Sequence, residues 1–333
     1  MKAPETLAQA IVYFSDPDRA FEYAKQLRWP DGKITCPHCE SDRHSFIKTR
    51  RLWFCYGCQK QFTLKVGTIF EDSAIGLDKW MTAVWMLVNC RNGISSYELA
   101  RDLGITQKSA WFMLQRIRLA LQEKSFVKLG GPEGGHVEVD ETFIGGKARN
   151  MHKSRRQKMM AIGRYAAKTA VMGMLERGGR VRAHVIGQRD KKQMHDLIRE
   201  AVVPGTWVMT DEFPAYDGLS RDYTHLVANH LERYVHGNVH TQGIENFWSL
   251  LKRGLGGTYV AVEPFHLFRY VDEQAFRFNT RKDDEGRKIS DPVRFAEAMS
   301  RVAGHRLTYA HLTGKDQSPR HEAAGSGPDQ VPF

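Results

Sequence analysis

The apolar residues of this chain change their period near residue 130. Before it they recur at helical spacing. Asp16 and Pro17 open a segment with Ala20, Phe21, Ala24 and Leu27 along one side. Leu77, Trp80, Met81, Val84, Trp85 and Val88 mark a helix over 76–91. Ser95 or Ser96 caps another, Tyr97 to Leu103, and Gly104 turns the chain into a longer one, about Gln107 to Leu121. Ala110, Trp111, Leu114, Ile117 and Leu121 of that helix face inward; Gln107, Lys108, Gln115, Arg116 and Arg118 are left outward. The succession Ala100, Gly104, Ala110 has the rhythm of a helix-turn-helix, a pattern that an ordinary helical hairpin shares.

Past the glycine-rich stretch 130–135 the period becomes two. His136 to Ile144 alternates, with Val137 and Val139 on one side and His136, Glu138 and Asp140 on the other. Ala166 to Glu176 and Arg180 to Gly187 read as two further strands, and Lys191 to Val202 as a helix. Thr206 to Thr210 is a short apolar strand that runs into Asp211. The stretch His240 to Arg253 is helical, with Ile244, Phe247, Trp248 and Leu251 on one face and Glu245, Ser249 and Lys252 on the next. Gly254, Gly256 and Gly257 are expected to stop it. Pro264 opens a last amphipathic helix to about Asn279, and roughly the final fifteen residues have the composition of a disordered tail.

Two Cys-x-x-Cys pairs, Cys36/Cys39 and Cys55/Cys58, stand fifteen residues apart. That is the spacing of a zinc ribbon, and four thiolates leave no open position, so the Zn²⁺ is structural. Cys90, in an apolar run, reads as a buried small side chain. The chain carries a formal net charge of +11 and a pI near 9.4, which favours a polyanionic partner, nucleic acid first. Lys108, Arg116 and the basic loop 147–160, with Arg155 and Arg156, are candidate DNA contacts. No signal-peptide pattern and no membrane-length apolar run is present, which predicts a cytoplasmic protein with no membrane partner.

Strand, strand, strand, helix, strand, helix is the order of the ribonuclease H-like fold. The expected architecture is therefore multidomain α/β. An N-terminal helix (1–30), a zinc ribbon (31–66) and a helix-turn-helix region (76–125) precede a ribonuclease H-like domain (136–285) and a C-terminal extension (286–333). In that fold the first and fourth strands lie side by side. Asp140 and Asp211 would share one sheet edge, with Glu245 brought over them by its helix. Three carboxylates there suit two Mg²⁺ ions, for which Mn²⁺ can substitute, and such a pair activates a water or a 3′-hydroxyl on a phosphodiester. Glu138, Glu141 and Glu212 lie close enough in sequence to be the ligands instead.

Three motifs carry a resemblance. Val-Glu-Val-Asp140-Glu-Thr-Phe-Ile-Gly-Gly-Lys147, Thr-Asp211-Glu-Phe-Pro-Ala-Tyr216 and Ile-Glu245-Asn-Phe-Trp-Ser-Leu-Leu-Lys252-Arg253-Gly resemble the DDE transposases of bacterial insertion sequences. Arg28-Trp-Pro-Asp-Gly32 ahead of the ribbon narrows this to the subgroup with an N-terminal zinc ribbon. The resemblance implies a catalytic triad Asp140, Asp211 and Glu245, with Asn246 an alternative third residue because the subgroup tolerates Asn there. It also implies DNA contact by Lys252 and Arg253 near the cut, binding of double-stranded transposon ends and target DNA, and a homodimer or larger assembly on the nucleoid. A ribonuclease H-like nuclease or resolvase that cuts without joining is the enzyme alternative. A regulator whose C-terminal half only dimerises is the non-enzyme one.

The cysteine spacing makes a first prediction. Purified protein should carry about one Zn²⁺, and Cys36→Ser should release it. Metal analysis of freshly reduced protein checks this, and a zinc-free preparation would sink it.

Overall fold

The computed structural model describes residues 4–122, 127–131, 135–146, 152–154, 156–157, 168–187, 189–228 and 240–315. Two helices, α1 (Leu7–Phe14) and α2 (Pro17–Arg28), lead the chain. Asp16 caps α2 through the amides of Asp18 and Arg19, with Pro17 in the first turn. Strands β1 (His44–Ile47), β2 (Leu52–Cys55) and β3 (Gln61–Thr63) form an antiparallel ribbon in that order. Its Trp53 stacks on Phe62 at 5.5 Å and on Phe21 of α2 at 5.7 Å, so ribbon and helix share one aromatic core.

Helices α3 (Leu77–Asn89), α4 (Ser96–Leu103) and α5 (Gln107–Ala120) extend that core. Ser95 and Glu98 form a capping box at the start of α4. The core also takes in Phe295, Ala298 and Met299 of α9 (Asp291–Ser300), whose Phe295 ring packs on Phe14 and Trp85. The C-terminal segment thus returns to the N-terminal helices. The tail expected to be disordered lies mostly beyond residue 315, outside the described residues.

The second half is built on a five-stranded sheet. Its strands are β4 (His136–Ile144), β5 (Thr169–Glu176), β6 (Val181–Ile186), β7 (Trp207–Thr210) and β8 (Thr224–Val227), in the order β6-β5-β4-β7-β8. The first three are antiparallel, while β7 and β8 run parallel to β4. Helix α6 (Lys191–Ala201) packs on one face through Met194 and Ile198. On the other lie α7 (Gln242–Arg253) and α8 (Leu267–Asn279), with Ile244, Phe247, Trp248 and Leu251 buried as the periodicity requires. Among the described residues no helix is long and apolar enough to cross a membrane.

Three expectations need correction. Gln115, Arg116 and Arg118 do not face outward: they are 0%, 4% and 1% exposed. Helix α8 covers that side of α5. Gln115 donates to the Tyr270 hydroxyl at 3.3 Å, and Arg118 Nε donates to Glu273 at 2.6 Å. Arg116 Nε donates to the Leu307 carbonyl at 3.0 Å, which turns its guanidinium inward. Polar residues answered by a second polar surface look, in sequence, like residues facing water. Second, α7 gives up its α-helical bonding at Gly254 as expected, but the glycines do not end the helical path; a π turn follows over Gly254–Tyr259, and the break comes at Val260, with φ of 59°. Third, β8 falls in a stretch where no strand was expected, since four residues are too few to show a period.

Glu273 is fully buried and accepts from Arg118, Arg277 and the Tyr259 hydroxyl. It is the anion that ties α5 to α8. Glu273→Gln should leave two guanidiniums without a counter-charge and cost about 3–5 kcal/mol of stability. Denaturant unfolding checks this; a change below about 1 kcal/mol would show that the buried charges do not depend on Glu273.

Candidate active site

Strand β4 carries carboxylates at 138, 140 and 141, and the pleat sends them to different faces. Glu141 pairs across the sheet with Met172, on the side of α6. There it is held by the Arg189 guanidinium and accepts the Tyr216 hydroxyl at 2.5 Å. Burial, then the charges of Asp140 and Asp211, push Tyr216 well above its usual value, so it stays a donor. Glu138 and Asp140 pair with Leu175 and Gly173, on the side of α7. Glu138 is 1% exposed and is answered by Arg177 Nε at 2.8 Å and by the amide of Ile244 at 3.0 Å. Glu212 is exposed in the turn after β7.

Asp140 is treated differently. Among the described residues it accepts one bond, from the Trp248 indole N–H at 3.0 Å. Gly173 opposite makes that possible, because a Cβ there would stand 2.7 Å from the indole. β4 pairs with β7 in the register Glu138↔Met209, and continuing it two positions sets Asp211 beside Asp140. Asp211 itself turns the chain, accepting the Phe213 amide at 3.0 Å. Burial pushes Asp140 from 3.8 up to about 7; the charges of Asp211 and Glu245 add to this, and Trp248 and Lys252 offset part of it.

On α7, Glu245, Trp248 and Lys252 follow at i, i+3 and i+7, on the side that faces Asp140. Asn246 lies about 100° further round the helix. Both Glu245 and Lys252 are exposed, as is Arg253. Elsewhere, Lys108 is exposed with its ammonium 4.5 Å over the Tyr309 ring of α10 (Tyr309–Leu312), and Arg156 is half-buried. Arg155 lies outside the described residues, as do Lys147, Arg149 and Lys158 of the basic loop.

The four cysteine sulfurs lie within 4.8 Å of one another, Cys36–Cys58 at 3.7 Å and Cys39–Cys55 at 3.6 Å. Sulfurs on a tetrahedron around Zn²⁺ stand about 3.8 Å apart for bonds of about 2.3 Å. This site fits zinc. Among the described residues no other group of three or more possible ligands closes so tightly, so the three acids stand wider. Their oxygens are hard donors, and a divalent cation would displace a proton that burial and, second to it, like-charged neighbours hold on Asp140. The donor set fits Mg²⁺.

The sequence did not single out Arg177, Arg189 or the indole of Trp248. Arg189 sits against the Phe213 ring at 3.6 Å and within electrostatic reach of both aspartates. It lies between strand and helix without periodicity or motif. Trp248 was legible only as a core residue.

Known proteins resemble the chain in both halves. Residues 132–279 match the ISXO2-like transposase domain, and 15–61 the transposase zinc-ribbon domain. A protein in the transposable element ISH50 of Halobacterium salinarum is 29% identical over 258 residues, 74% of this chain and 85% of that one. A transposase-like protein of Haemophilus influenzae is 34% identical over 84 residues, 25% of this chain and 68% of its own length. The crystal structure of the Mos1 strand transfer complex superposes at a TM-score of 0.28 and 13% identity, over 66% of this chain and 74% of that one.

The raised Asp140 has a consequence for stability. The folded protein keeps a proton that the unfolded chain releases above about pH 4. Stability without added divalent metal therefore falls as pH rises from about 4 to about 7, and the loss is complete above that. Asp140→Asn cannot ionise, so it should melt with wild type near pH 4 and above wild type at pH 8. Thermal melts at the two pH values check this; equal melting at pH 8 would show Asp140 to be ionised at no cost.

Proposed function

The chain belongs to the DDE transposases of bacterial insertion sequences, in the group with an N-terminal zinc ribbon, and on that premise we propose that it cuts and joins DNA at the terminal inverted repeats of its own element. The observation that carries the reading is Asp140: a half-buried carboxylate left nearly unanswered beside Asp211, facing Glu245 and Lys252. A structural acid has its charge met, as Glu138 and Glu141 do. One kept short of partners is kept for a cation.

In this reading residues 136–285 are a ribonuclease H-like domain. Support comes from three antiparallel strands followed by two parallel ones, with helices on both faces. Residues 31–66 are the ribbon and 76–125 a helix-turn-helix region, flanked by the N-terminal helices of 1–30 and the C-terminal extension of 286–333. These modules recognise double-stranded ends, with Lys108 at the first turn of α5 and the basic loop of Arg155 and Arg156 on the backbone. The protein works as a dimer or larger assembly on the bacterial nucleoid, in the cytoplasm.

Asp140, Asp211 and Glu245 would hold two Mg²⁺ ions, or Mn²⁺ in their place. When bound, the pair makes a water or 3′-hydroxyl more nucleophilic and stabilises the leaving oxygen of the phosphodiester. Trp248 fixes the rotamer of Asp140 by donating to one oxygen, which leaves the other for a cation. Lys252, about two turns beyond Glu245, and Arg253 meet the phosphate of the end being cut, the lysine as a point charge.

The test is cleavage and joining with Mg²⁺ on DNA carrying the terminal repeats. Asp140→Asn, Asp211→Asn and Glu245→Gln should each lose several orders of magnitude in rate and still bind ends. Asn246→Ala should stay active, and Lys252→Ala should weaken engagement of the cut end. Near wild-type cutting by either aspartate variant ends the assignment. Cutting without joining in wild type would make the protein a nuclease or resolvase.

A further inference from the structure

Helix α7 lacks a cap of its own. The residue before it, Thr241, makes no side-chain bond to the first-turn amides. The cap comes from the sheet instead. Glu138 Oε2 accepts the Ile244 amide at 3.0 Å, from 106 residues away in sequence. An anion at that end also suits the helix dipole. Glu138 Oε1 is held by Arg177 Nε at 2.8 Å and faces His240 Nδ1 at 3.4 Å. Arg177 Nη2 in turn donates to the His240 carbonyl at 2.8 Å, so the arginine bridges the strand acid and the chain entering α7. The approach is close: a Cβ on Gly243 would stand 2.8 Å from Glu138 Oε2 and 2.6 Å from Leu175.

A second grip lies one turn along. Asp140 is two residues from Glu138 on the same face of β4, and it takes the indole of Trp248, four residues after Ile244. Two strand acids thus hold the helix at two points, and Glu245 lies between them. A slide of α7 along its axis would break the Glu138 bond and shift Glu245 relative to Asp140 and Asp211 together.

We infer that Glu138, clamped by Arg177, is a positioning residue that sets the reach of Glu245 into the metal site. The inference rests on Glu245 being the third metal ligand. Glu138 is buried with one oxygen on Arg177 and the other on the Ile244 amide, so it acts through the helix it caps. Outer partners of this kind change metal affinity by about 10–100-fold when removed.

The experiment is a calorimetric titration of the full-length protein with Mn²⁺, beside amide hydrogen exchange at the first turn of α7. Glu138→Ala should weaken Mn²⁺ binding about tenfold and speed exchange at Ile244. Glu138→Gln keeps a carbonyl for the Ile244 amide and should recover most of the affinity. Glu138→Asp keeps the charge but withdraws it by one methylene; it serves if the alanine variant does not fold, and it should bind Mn²⁺ weakly while melting near wild type. In a Glu245→Gln background, Glu138→Ala should cause no further loss. Wild-type Mn²⁺ affinity in Glu138→Ala or Glu138→Asp overturns the inference. An equal loss with and without Glu245 also overturns it, because that is general destabilisation. If Glu245→Gln alone leaves Mn²⁺ affinity unchanged, the third-ligand reading falls and takes the inference with it; if Glu245→Gln weakens binding and Glu138→Ala does not, only the inference falls.

Discussion

A carboxylate taken out of water must be answered by a cation, by donated hydrogen bonds or by a proton. Strand β4 carries three such groups within four positions, and the second half of the protein is arranged by how each is answered. Glu141 needs Arg189 and Tyr216, which fixes the chain on either side of α6 and β7 against the sheet. Glu138 needs Arg177 and the amide of Ile244, which fixes α7 on the opposite face. Asp140 is half-buried with one indole N–H to answer it among the described residues, and burial, with Asp211 and Glu245 adding to it, keeps its proton on until near neutral pH. The site exists where neutralisation is withheld.

The junction between the N-terminal helices and the second half obeys the same rule with the signs exchanged. Arg118 of α5 and Arg277 of α8 are buried cations, and Glu273 is the anion between them, with Tyr259 donating to the same carboxylate. Such clusters give little net stability, but they are intolerant of losing one member. They therefore fix which surfaces meet. With α3 and α4 packed against it as well, α5 is held on both sides, and the first turn around Lys108 is its exposed part.

Much of this was legible in the sequence because it depends on periods and spacings. Alternation in 136–144 separated Val137 and Val139 from Glu138 and Asp140. Helical spacing gave the buried face of α7, and the cysteine pairs gave the ribbon ligands. What could not be read is which polar group meets which. Glu138 and Asp140 occupy the same face of the same strand, and their sequence surroundings do not distinguish them. The difference is made by Arg177, 39 residues on, and by an amide 106 residues on. The same blindness put Arg116 and Arg118 in water. Their partners are a carbonyl and a carboxylate more than 150 residues away, and a hydrophobic period says nothing of those.

The width of the acidic site follows from groups that are not acids. The indole of Trp248 reaches Asp140 because residue 173 has no side chain, and α7 reaches Glu138 because residue 243 has none. A methyl at either place would meet its neighbour at under 3 Å, and a packed interior accommodates that by moving the helix rather than by absorbing the strain. Since Glu245 rides on that helix, its distance from the aspartates is set by two missing side chains and one ring. The carboxylates supply the charge. The gap across which they act is a property of the backbone spacing, and here that spacing is written in glycine.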